Sequence, residues 1–148
     1  MASWIDRHWA GRSNPWCVYT RLAAALGLVA AVGSYRTLGP DAAIPVGLCL
    51  LFILVNPFIF PAPRSKSAWA TRAVLGQRRW RERRAWDRPT LLRILSALAY
   101  LPALILAFEG MRGEAAVFAL VALFLKLGYL DWMARFHDRI AGASPEAA

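Results

Sequence analysis

Four long apolar runs, each separated from the next by polar or turn-forming residues, set the pattern of this chain. They cover residues 16–35, 42–60, 91–108 and 115–136. Each is close to the roughly 20 apolar residues that a helix needs to cross about 30 Å of hydrocarbon. Only 36–41 divides the first two runs and 109–113 the last two, whereas a long polar segment lies between the pairs. The pattern predicts an all-α integral membrane four-helix bundle made of two helical hairpins, with amphipathic interfacial helices outside it. The hairpins take 16–62 and 91–136; an interfacial segment over 1–15, a basic loop over 63–90 and a flexible tail over 137–148 complete the chain. The first run is too long for a cleavable signal and lacks a small-residue cleavage site, so it is expected to remain a span.

Turn chemistry agrees with these boundaries. Asn14-Pro15-Trp16 reads as N-cap, first helical residue and interfacial anchor. Gly39-Pro40-Asp41 reads as a turn between the first two spans. Pro57, Pro61 and Pro63 oppose continuation of the second helix, and Arg88-Pro89-Thr90 opens the third. Pro45 and Pro102 fall inside spans, where neighbouring helices tolerate a kink. Small residues four apart, Ala23-Gly27-Ala31 and Ala99-Ala103-Ala107, predict close helix contacts.

Charge then orients the bundle. The 148 residues are 58% hydrophobic yet carry a net charge of +9. Half of the 18 Lys and Arg fall within 64–88, opposed there only by Glu82 and Asp87. Arg7, Arg12, Arg135 and Arg139 lie on the same side of the predicted spans, while the other side has Arg36 and Arg112 beside Asp41, Glu109 and Glu114. Spanning segments exclude charge, and Lys and Arg are retained in the cytoplasm. Both termini and the basic loop are therefore expected to be cytoplasmic. Bilayer proximity accounts for the basicity, so nucleic acid is not an expected partner.

Two segments read as surface helices. Ser3 and Asp6 can cap a short helix whose Trp4, Ile5, His8 and Trp9 share a face; Trp4, Trp9 and Trp16 are the expected interfacial anchors. In the basic loop, Trp69, Ala73 and Trp80 share a helical face flanked by Arg72, Arg79 and Arg83. Trp69, Arg72, Arg79, Trp80 and Arg83 form the expected lipid-surface face, with anionic phospholipid as its partner. A protein partner or a second copy of the chain is the other expectation.

Polar groups inside spans are costly and are the first places to seek function. Arg21, Asn56, Lys126 and Asp131 all fall in the same half of the predicted bundle, with Arg93 near enough to join them. Two arrangements fit. Arg21 and Lys126 can snorkel to the headgroups while Asp131 pairs with Arg135 four residues on. Alternatively, a buried Arg21–Asp131 pair bordered by Lys126 forms a pocket for an anion or a lipid phosphate.

Catalytic signatures are absent. His8 and His137 are the two histidines and belong to no metal-ligand spacing, and Cys17 and Cys49 read as free thiols in apolar surroundings. No phosphate-cradling glycine loop, nucleophile elbow or paired intramembrane carboxylates occur, so no catalytic residue, metal or cofactor is expected.

Four strings stand out: Asn14-Pro15-Trp16 with Thr20-Arg21; Asn56-Pro57 with Phe60-Pro61 and Pro63; Trp69 and Arg72 with Val74-Leu75-Gly76 and Trp80; and Lys126-Leu127-Gly128 with Leu130-Asp131. Together they cover most of the chain and resemble a family of small bacterial integral membrane proteins of unknown function. Relative to that pattern, Gln77 stands where an acidic residue is common and Phe58 where a basic one is. The resemblance implies location in the bacterial inner membrane and no particular activity. The leading expectation is a non-enzymatic inner-membrane component contacting lipid or a partner protein through its Trp/Arg face. A small oligomeric transporter or channel subunit is the alternative, and an enzyme acting on a lipid headgroup the third.

Overall fold

The computed structural model describes residues 4–83 and 88–142. The expected Ser3 cap, residues 84–87 and the tail beyond Gly142 lie outside the described residues, as do the side chains of Glu82 and Arg83. Every element among the described residues is helical: α1 (Trp4–Arg12), α2 (Pro15–Gly33), α3 (Tyr35–Leu38), a 3-10 turn (Gly39–Ala42), α4 (Ala43–Ile59), α5 (Trp69–Arg83), α6 (Arg88–Phe108) and α7 (Arg112–Gly142).

Three helical stretches are long and apolar enough to cross a membrane: Pro15–Ile59, Arg88–Phe108 and Arg112–Gly142. The first contains both of the leading apolar runs. Its chain reverses through α3 and the 3-10 turn, so that Cys17 on α2 meets Asn56 near the far end of α4 and Gly27 faces Cys49. Gly39 makes the reversal at φ +57, a backbone angle open to glycine.

The start of α2 follows from local chemistry. Asn14 accepts a hydrogen bond from the Trp16 amide at 3.0 Å, and Pro15 occupies the first turn, where its missing N–H costs nothing. The Asn14 side-chain amide also donates to the Pro61 carbonyl at 3.1 Å, tying the beginning of α2 to the end of α4.

The core has two parts. At the end opposite the basic segment, Val29 of α2 packs with Ala103 and Ala107 of α6 and Ala115 and Ala119 of α7. These small side chains let three backbones approach, the packing mode available where lipid removes any hydrophobic drive between helices. The Tyr100 hydroxyl donates to the Ala25 carbonyl across the α2–α6 contact. Of the expected stripes, Ala103, Ala107 and Ala31 are buried, whereas Ala23 is exposed.

The second part joins α5 to the basic end of α7. Ala70, Ala73, Val74 and Trp80 close on Tyr129, Leu130, Met133 and Ala134, with Val18 reaching in from α2. Gly76 permits this contact, because a Cβ there would stand 2.0 Å from the Met133 carbonyl oxygen. At Gly11 on α1, a Cβ would meet the Pro57 carbonyl oxygen at 1.8 Å, so α1 lies directly on the C-terminal end of α4.

The helix order leaves one side open. α6 pairs along its length with α7, and α2 rests on both of them, whereas α4 packs on α1, α2 and the 3-10 turn. Large apolar side chains cover the outside, including Ile44, Leu48, Leu51 and Leu54 on α4, Leu98, Leu101 and Ile105 on α6, and Val117 and Phe124 on α7. So much apolar surface fits a hydrocarbon surround.

Candidate functional site

The polar residues within the apolar helices divide into three groups. Asn56, fully buried on α4, uses both halves of its amide between helices. Its Oδ1 accepts from Cys17 Sγ at 2.7 Å, and its Nδ2 donates to Thr20 Oγ1 at 2.9 Å. Cys17 and Thr20 are three apart on α2 and so lie on one face. Thr20 Oγ1 donates in turn to the Trp16 carbonyl at 2.6 Å. This group fastens α2 to α4.

Asp131 faces elsewhere. Its Oδ2 accepts from Arg135 Nε at 2.8 Å, one turn on, and its Oδ1 from Trp69 Nε1 at 3.2 Å. It thus anchors α5 to α7 and forms no ion pair with Arg21. Arg72 extends the same seam by pairing with Asp138.

Arg21 and Lys126 do come together. They line a cleft of about 340 Å³ with Arg12 from α1 and Arg93 from α6, between walls that include Leu22, Leu26, Ile53 and Ala97. A smaller chamber of about 60 Å³ continues from Arg12, Arg21 and Lys126 to Gln77 on α5. Arg12 donates to Gln77 Oε1 at 3.5 Å and lies 5.2 Å from the Trp9 ring centre; Arg81 lies 5.8 Å from the same ring. Lys126 Nζ is 5.1 Å from the centre of the Tyr129 ring. Such cation–ring contacts moderate a positive charge without cancelling it.

Among the described side chains, carboxylates do not balance these cations. Among the described residues, Arg12, Arg21, Arg93 and Lys126 have none within ion-pair distance. Asp6, Glu109, Asp131 and Asp138 are paired with Arg78, Arg36, Arg135 and Arg72 instead. The crowding is felt at the basic end: burial first, then repulsion from Arg21, lowers the Arg12 pKa from its ordinary value. Burial also lowers that of His8, aided by Arg12 and Arg21, so His8 resists protonation.

The structure thus joins Arg21 to Lys126 and Arg93, and turns Asn56 and Asp131 to other tasks. Arg12 is the member that sequence reasoning assigned to topology alone. Its place depends on α1 folding back over Pro57, which no local pattern reveals.

On α5, Trp80 is buried against α7, Trp69 is bonded to Asp131, Arg72 is paired and Arg79 is exposed. The two indole rings therefore turn toward protein, leaving arginines outermost. The Arg83 side chain lies outside the described residues. Of the expected anchors, Trp4 and Trp16 are exposed, and Trp9 is half-buried beneath Arg12 and Arg81. His137 lies 3.6 Å from Asp138, and no group of three His, Cys, Asp or Glu side chains suited to a metal occurs among the described residues.

No curated protein and no solved structure matches the chain. A family match, in contrast, extends over residues 4–148. The chain belongs to DUF6653, a family of unknown function.

Proposed function

We propose that the protein is a multi-pass component of the bacterial inner membrane, with four crossings by α2, α4, α6 and α7. Both termini and α5 face the cytoplasm, and the basic surface there holds anionic phospholipid. Two crossings within Pro15–Ile59 follow from length: as one straight helix its 45 residues would extend roughly 67 Å, over twice the hydrocarbon thickness. Divided at the reversal, the 19 residues of α2 and 17 of α4 suit one passage each.

The observation that carries the reading is the separation of charge along the helix axes. Arg7, Arg79, Arg81, Arg88, Arg135 and Arg139 are all exposed at the end to which α1 and α5 belong. At the opposite end Arg36 is paired with Glu109, and Arg112 at the start of α7 is offset by Glu114 in the same turn and by Asp41 in the 3-10 turn. Each basic residue near an anionic membrane surface contributes about 1 kcal/mol of attraction.

Periplasm-active reporters fused within 39–41 and after residue 148 test the topology, with activity expected at the first site alone. Activity after residue 148 overturns it. For lipid contact, the full chain is placed in nanodiscs mixing phosphatidylcholine with phosphatidylglycerol, and the lipid retained on extraction is measured. Phosphatidylglycerol is expected to be enriched, and Arg79→Gln with Arg81→Gln to reduce the enrichment. A retained fraction equal to the bulk mixture overturns the surface role.

A further inference from the structure

We propose that the cleft among α2, α6 and α7, edged by Ile53 of α4 and lined by Arg12, Arg21, Arg93 and Lys126, is a binding site for one amphiphile whose head bears a phosphate monoester. The proposal rests on the membrane placement argued above, but concerns a discrete intramembrane site and not the exposed arginines of α5.

Four cations from four elements converge on one cavity, and no described carboxylate answers them. Cations in such surroundings are costly without a counter-charge, and an anion able to enter relieves their mutual repulsion. The neutral polar groups nearby offer no competing acid. Ser96 donates its hydroxyl proton to the Arg93 carbonyl at 2.8 Å, and Tyr100 donates its own to Ala25. What remains directed at the cleft is chiefly guanidinium and ammonium N–H, a lining that selects a ligand rich in acceptors. Phosphate oxygens meet Arg in paired hydrogen bonds, and a monoester, approaching two negative charges, offsets more of this lining than a diester or carboxylate.

The walls define the rest of the ligand. Leu22, Leu26, Ile53 and Ala97 are apolar, and the volume of about 340 Å³ lies within the usual range for a small-molecule site. Because α4 packs on α1 and α2 but not comparably on α6, the side of the cleft between Ile53 and α6 is the one not closed by helix packing. In the proposed orientation that opening meets the inner leaflet. A lipid can slide its phosphate inward there while its chains stay among the exposed leucines of α4 and α6. Free phosphate has no use for such an entrance, so the occupant is a lipid.

The test uses the full chain in phosphatidylcholine nanodiscs containing a little phosphatidic acid or, separately, phosphatidylglycerol, with bound lipid read by native mass spectrometry. One phosphatidic acid per chain is expected, in preference to phosphatidylglycerol. Arg21→Gln and Lys126→Gln are each expected to weaken it by about tenfold, the loss of one charge-assisted contact. Lys126→Arg is expected to keep binding, and Arg79→Gln with Arg81→Gln to leave this single adduct intact. Thermal unfolding of each variant separates lost binding from lost folding. An adduct that survives Arg21→Gln and Lys126→Gln in folded protein overturns the cleft while leaving the surface reading standing. Displacement by millimolar inorganic phosphate overturns the lipid as occupant. Loss of all preference for anionic lipid removes both readings.

Discussion

Asn56 lies on α4 with none of its surface exposed, and its amide bridges two residues of the neighbouring helix. Hydrogen bonds between membrane helices average roughly 0.6 kcal/mol, and a buried partner left unsatisfied adds about 1–3 kcal/mol. Asn56→Leu removes the whole amide, but Thr20 keeps its bond to the Trp16 carbonyl and the Cys17 thiol is a weak donor. The expected loss is therefore about 1–2 kcal/mol, well short of abolished folding. Thermal unfolding in detergent gives the loss, and the rate of Cys17 alkylation reports whether the α2–α4 seam has loosened. An unchanged melting temperature together with unchanged alkylation removes Asn56 as the fastening. Arg21, one residue beyond Thr20, turns away from this group into the cleft, so adjacent polar residues serve different purposes.

At the scale of the element, α5 depends on a missing side chain. Gly76 brings α5 so close to α7 that Gly76→Ala would drive a Cβ to 2.0 Å from a backbone oxygen, and backbone cannot swing aside as a flexible side chain can. The expected destabilisation is about 3 kcal/mol, the upper end of what overpacking costs, with α5 becoming accessible to protease. Gly128→Ala is the control: nothing lies within 4 Å of its added Cβ, and the change is expected to leave stability equal or slightly raised. Equal melting temperatures for the two variants would show that α5 does not need the close contact. This element also marks how far the sequence could be read. The start of α2 was legible in Asn14-Pro15-Trp16, because capping is chemistry between neighbours in the chain. The Asp131–Arg135 pair was legible as one of two alternatives, since a separation of four residues on a helix fixes proximity. The seating of Trp69 and Trp80 was not, because a Trp stripe with flanking arginines suits a lipid surface and a helix partner equally. What decides for α7 is the absent Cβ at Gly76, which acquires meaning only beside Met133. Arg12 was hidden for the same reason, its approach to the cleft depending on contact between Gly11 and Pro57.

Across the whole molecule, rigidity is distributed unevenly. α5, α6 and α7 share the two core clusters and the Asp131 and Arg72 seam, with α2 fitted into both. α4 stands apart: its buried residues are Asn56 and Pro57, both near its C-terminal end, and the face turned from α2 presents large apolar side chains outward. A helix that rests on α2 along its length but makes no comparable contact with α6 can move relative to α6 without breaking the two core clusters. Opening there widens the side of the cationic cleft without disturbing α7. Spin labels at Leu51→Cys on α4 and Leu98→Cys on α6, in a Cys49→Ser background, are expected to give a broader distance distribution than labels at Leu98→Cys and Val121→Cys. All three labelled positions are exposed, and Cys17 is buried, so the introduced thiols take the label. Equal widths for the two pairs would mean that α4 is held as firmly as the α6–α7 hairpin, and that lateral access requires some other movement. A broad α4–α6 distribution beside a narrow α6–α7 one makes α4 the movable wall of the bundle, and the charge it exposes by moving is that of Arg21, Arg93 and Lys126.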